Sequence, residues 1–109
     1  MAHDYKELDV TEFAVWQKEG RPFTLLDVRQ SVELSLASIP GALHIPMREV
    51  QARVREIPRD RPVIVLCHAG ERSARIARFL VTDGLQDVYN LEGGIDAYAL
   101  KIDHSVGRY

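Results

Sequence analysis

Apolar residues in this chain fall in short bursts separated by turn-forming residues, and the bursts carry two rhythms. Val63-Ile64-Val65-Leu66 is an uninterrupted run of branched side chains, which predicts a strand covered on both faces. The segment that follows places Ala74, Ala77, Leu80 and Val81 on one side and Arg75 and Arg78 on the other, the stripe of an amphipathic helix. Between the two lies a short loop with Cys67 at its start and Gly70 in its middle.

The same alternation repeats along the chain. Residues 5–8 suit a short first strand. Asp9 with Glu12 three residues on is a helix-start signature, and the helix carrying Phe13 and Trp16 stops at Gly20. Residues 23–26 form a second apolar strand that delivers Asp27-Val28-Arg29 to its carboxyl end. A short helix over 31–36 gives way to the Pro40-Gly41 turn, a third strand over 43–45, and a helix from Pro46 through 47–55 burying Val50 and Val54, which Pro58 stops. A fifth strand is predicted over 87–91, and Gly93-Gly94 turns into a last helix over 95–101. The tail 102–109 follows this helix, and its residues 104–109 are expected to stay loose. Strands alternating with helices give a three-layer α/β fold, a mostly parallel sheet of five strands covered on both faces, with ligands expected at the strands' carboxyl ends.

Length and charge narrow the picture. The 109 residues suit one domain, with a core over about 5–101. A net charge of −2 gives no footprint for nucleic acid, and Arg53, Arg55, Arg59 and Arg61 are interleaved with Glu56 and Asp60, as on a solvated face. No apolar run approaches the about 18 residues of a membrane span, and the first residues carry no apolar signal region. A single cysteine forms no internal disulfide, and His3, His44, His68 and His104 lack metal-ligand spacing. A cytoplasmic protein without metal or cofactor is expected.

A lone cysteine ending an apolar strand is commonly a small core residue. Here the residues after it change that reading. The first amides of a helix have no intrahelical acceptor and point at whatever fills the loop before them. Partial positive charge there, with Arg72, favours a thiolate at Cys67, while Glu71 opposes it. The loop Cys67-His68-Ala69-Gly70-Glu71-Arg72-Ser73 is built to hold an anion against a sulfur. Asp27 and Arg29, with Glu33 as a partner of Arg29, read as ion pairs bracing that loop.

Four stretches in order resemble the rhodanese family of sulfurtransferase domains: Leu26-Asp27-Val28-Arg29 with Glu33, Ile39-Pro40-Gly41-Ala42 with Ile45-Pro46, the Cys67–Ser73 loop, and Val88-Tyr89-Asn90-Leu91-Glu92-Gly93-Gly94. Ala37-Ser38 stands where the family often has Gly-His, and Tyr98 where it often has Trp. The resemblance implies a five-stranded parallel sheet and a persulfide on Cys67. Sulfur would come from thiosulfate or a related donor and pass to cyanide, a thiol or a sulfur-relay protein. Main-chain amides of Ala69, Gly70, Glu71, Arg72 and Ser73 would cradle the sulfur. His68 would meet donor or acceptor at the rim, and Arg72 would either brace the loop through Asp27 or Glu33 or hold the donor. A passive carrier or binding module would look the same. A cysteine phosphatase or arsenate reductase is disfavoured, since Cys67 and Arg72 enclose one residue fewer than such cradles do.

Overall fold

The structure is a computed structural model and describes residues 4–109; residues 1–3, His3 among them, lie outside it. The strands are β1 (Lys6–Leu8), β2 (Thr24–Asp27), β3 (Leu43–His44), β4 (Val63–Leu66) and β5 (Val88–Leu91). The helices are α1 (Val10–Glu19), α2 (Ser31–Leu34), α3 (Glu71–Thr82) and α4 (Gly94–Lys101), with 3₁₀ turns at Met47–Glu49, Val54–Glu56 and His104–Val106. The strands form one sheet in the order β1-β5-β4-β2-β3, with every neighbouring pair parallel.

Local chemistry explains the elements. The Asp9 carboxylate accepts the Glu12 amide at 2.8 Å and opens α1, and Gly20 closes it in the left-handed region at φ 68°. In β4 the side chains alternate. Val63 and Val65 pack on one side with Ile76, Ala77 and Leu80 of α3, while Ile64 and Leu66 pack on the other with Phe13 and Trp16 of α1 and Ile95 and Tyr98 of α4. Two cores therefore sandwich the sheet, giving the three layers. Cys67 continues the β4 alternation and falls on the α3 side.

Two expectations fail. The helix expected over 47–55 is two 3₁₀ turns, separated at Arg53, whose φ of −115° leaves the helical range. Val50 is fully buried and Met47 and Val54 pack partly buried against the same core, so apolar spacing is met without a continuous helix. Arg53 instead pairs with both Glu49 and Glu56 at 2.8 Å. The tail is not loose: Asp103 caps the His104–Val106 turn, Arg108 pairs with Asp96 at 2.8 Å, and the Tyr109 ring stacks on His68 with centroids 4.2 Å apart. Each contact joins groups distant in sequence or lacking any periodic signature, so no local pattern announces it.

Candidate functional site

Cys67 follows the last residue of β4, the strand between β5 and β2, and is 1% exposed. It lines a pocket of about 210 Å³ with His68, Ala69, Glu71 and Arg72. The Gly70 amide donates to Cys67 Sγ at 3.1 Å, and Ser73 Oγ lies 3.2 Å from the same sulfur. The cysteine is thus buried but not apolar in its surroundings. The first-turn amides of α3, from Glu71, Arg72 and Ser73, are those that lack intrahelical acceptors.

Two glycines make this curl possible. Gly70 precedes α3 at φ 103°, and a Cβ there would lie 3.3 Å from the Gly93 amide nitrogen. Gly94, at φ 64°, lies against the loop from behind: a Cβ would come within 2.6 Å of the Cys67 carbonyl oxygen and closer still to that of His68. The α4 amides of Ile95 and Asp96 donate to those same carbonyls at 2.9 and 3.0 Å. The Gly93-Gly94 turn therefore fixes the backbone of Cys67 and His68.

The charged residues divide by role. Arg72 Nη1 and Nη2 donate to the two carboxylate oxygens of Glu33 at 2.7 and 2.8 Å, a paired clamp between α3 and α2. That guanidinium, first among the causes, holds the Glu33 carboxyl well below the ordinary range, at about 2. The same pair raises Arg72. Arg29 and Asp27 are 0% and 1% exposed and paired at 2.7 Å. Arg29 Nη1 donates to the Glu33 carbonyl at 3.3 Å and to Tyr109 Oη at 3.0 Å. The carboxylate of Glu33 therefore belongs to Arg72, not to Arg29 as the sequence reading has it, because Asp27 already fills the Arg29 fork.

Sequence reasoning missed three participants. Asn90 of β5 is 3% exposed and receives the Ser73 hydroxyl on Oδ1. Its Nδ2 donates to the Glu7 carboxylate at 3.0 Å and to the Gly70 carbonyl at 3.2 Å. A lone polar residue in an apolar strand was the available signal. Tyr109 donates its hydroxyl to Glu33 at 2.9 Å while stacked on His68, closing one side of the loop. Among the described residues, no three His, Cys, Asp or Glu side chains are grouped to hold a metal ion, and no helix is long and apolar enough to cross a membrane.

Comparison with known proteins agrees with this geometry. The chain is 41% identical over 93 residues to a protein named sulfurtransferase from Allochromatium vinosum, covering 85% of this chain and 87% of that one. It is 38% identical over 89 residues to the chloroplastic rhodanese-like/PpiC domain-containing protein 12 of Arabidopsis thaliana, covering 78% of this chain but only 30% of the plant protein. The crystal structure of a rhodanese-like domain protein from Staphylococcus aureus superposes with a TM-score of 0.82 at 27% identity, covering 95% of this chain and 98% of that one. The pattern of the rhodanese-like domain matches residues 9–101, from the cap of α1 to the end of α4. With the fold, the sulfur-bearing loop and these matches in agreement, the chain belongs to the rhodanese-like domain family.

Proposed function

We propose that the chain is a sulfurtransferase that carries sulfur as a persulfide on Cys67. The supporting observation is the setting of Cys67 Sγ, held at 3.1 Å by the Gly70 amide below the open first turn of α3. In this reading the Cys67 thiolate attacks the outer sulfur of thiosulfate. A new S–S bond forms to Sγ, the donor's S–S bond breaks, and its electron pair leaves with sulfite. The loop amides of residues 69–73 then share the charge of the outer sulfur. A thiophilic acceptor such as cyanide, a thiol or a partner protein attacks that sulfur and regenerates the thiolate, giving ping-pong kinetics. His68 stands at the rim, where donor and acceptor approach.

Arg72 serves first as a brace in this scheme. Both of its terminal nitrogens are held by Glu33, so a donor dianion must compete with a carboxylate at 2.7 Å. Thiosulfate is therefore expected to be a usable but poor donor. The same clamp supports a second reading, in which the domain is a carrier loaded by a protein persulfide. The lone cysteine persists as a thiol most simply in the reducing cytoplasm.

Thiocyanate formation from thiosulfate and cyanide tests the enzyme directly, with Cys67→Ser expected to be silent. An equally active Cys67→Ser protein would end the proposal. Loading by a cysteine desulfurase with cysteine, without appreciable thiosulfate turnover, would select the carrier.

A further inference from the structure

The hydroxyl of Ser73 has one proton, and the surrounding bonds fix where it goes. Asn90 Nδ2 faces a carboxylate (Glu7, 3.0 Å) and a backbone carbonyl (Gly70, 3.2 Å), groups that only accept at neutral pH. The amide orientation is therefore determined, and Asn90 Oδ1 faces Ser73. An amide oxygen only accepts, so Ser73 donates to it. Ser73 Oγ, 3.2 Å from Cys67 Sγ, then has only lone pairs left for the sulfur. The Cys67 thiol can donate its S–H into that contact. A thiolate meets lone pairs there and is served from this side only once the hydroxyl turns away from Asn90. The chain ends on an amide, which is too weak a base to pass a proton on, so it holds a proton in place without conducting it.

We propose that Asn90 is a positioning residue that commits the Ser73 proton away from Cys67, restraining the sulfur in its thiol form until the Ser73 hydroxyl swings toward it. The Gly70 amide serves the sulfur in either form, which leaves the Ser73 hydroxyl as the adjustable partner. The restraint rests on Cys67 being the reactive sulfur. It is read by alkylation, so a failure of sulfur transfer leaves it standing.

The charged and titratable groups around the sulfur are Arg72 and Glu71 of α3, Glu33 of α2 through its pair with Arg72, and His68 beneath Tyr109. Asp96 of α4 faces His68, and Glu7 of β1 lies behind Asn90. Of these only Glu7 loses a bond in an Asn90 variant. The experiment follows the pH profile of iodoacetamide alkylation by intact mass, each variant first checked for its fold by circular dichroism. Asn90→Leu frees the Ser73 proton, and alkylation at neutral pH is expected to rise about fivefold or more, with the profile displaced to lower pH. Ser73→Ala placed in the same chain should cancel the gain. A purely structural role for Asn90 would move none of these in that pattern. Unchanged or slower alkylation in folded Asn90→Leu, or a gain that survives Ser73→Ala, would overturn the proposal. Should Asn90→Leu fail to fold, the native chain still decides, because its single thiol gives one S–H stretching band. The band should lie below that of a free thiol and shift upward in Ser73→Ala; a band already at the free-thiol frequency would overturn the proposal.

Discussion

Neighbouring parallel strands β2 and β4 end in loops that differ in how fully their polar groups are occupied. The loop after β2 is closed on itself: the Arg29 guanidinium is fully buried, with its donors directed at Asp27, the Glu33 carbonyl and Tyr109. The loop after β4 is open. Its sulfur, the first-turn amides of α3 and the pocket they border keep capacity for a further partner. Charge by itself therefore does not mark the site. Asp27 and Arg29 are the buried ion pair at this sheet edge and are occupied by each other and their neighbours, whereas the neutral amides beside Cys67 are the groups left for chemistry.

The contrast breaks most visibly in Arg29→Met. Removing one partner of a fully buried pair strands Asp27, and stability is expected to fall by about 3–5 kcal/mol in urea unfolding. Asp27→Leu with Arg29→Met should recover most of that loss. A single variant as stable as the native chain would show that the first loop is not closed as described. Gly94→Ala tests the open loop from behind. Its Cβ meets the carbonyls of Cys67 and His68 at a positive φ, so a loss of about 2–3 kcal/mol is expected together with impaired sulfur loading.

Glu33 links the two loops and provides the pH test. Its carboxyl is held at about 2, below the ordinary 4.5, so its contribution is full above the ordinary value and fades as pH falls toward 2. Partial solvent screening reduces that contribution to about 1–2 kcal/mol. Glu33→Gln should lower neutral-pH stability by that amount and flatten the acid limb of the stability curve. It also frees Arg72, so the KM for thiosulfate should fall. Smallest is Tyr109→Phe, which removes hydroxyl bonds to Arg29 and Glu33 and should cost about 0.5–1.5 kcal/mol by thermal unfolding.

What the sequence disclosed follows from the range of the interactions. The run Val63-Ile64-Val65-Leu66, the Asp9 cap and the turn glycines act within a few residues, so β4, α1 and the curl of the Cys67 loop were legible. Sequence places Arg72 in the loop, but its choice of Glu33 over a donor depends on α2 lying beside α3, which only the fold sets. Segment 47–55 misleads because Met47, Val50 and Val54 reach the core at helical spacing although the backbone leaves the helical range at Arg53. Glu7 and Tyr109 join the site across 83 and 76 residues of chain, beyond the reach of any local pattern, while Asn90, bonded to Ser73 across 17 residues, shows locally only as a lone polar residue in an apolar strand.

The central claim is that the open loop holds a sulfur on Cys67. Intact-mass measurement after exposure to thiosulfate, and separately to a cysteine desulfurase with cysteine, tests it most directly. The account predicts a native chain heavier by one sulfur atom, removable by cyanide or a reducing thiol, and no gain in Cys67→Ser. A native chain that gains nothing from either source, or a Cys67→Ser chain that gains as much, would contradict it.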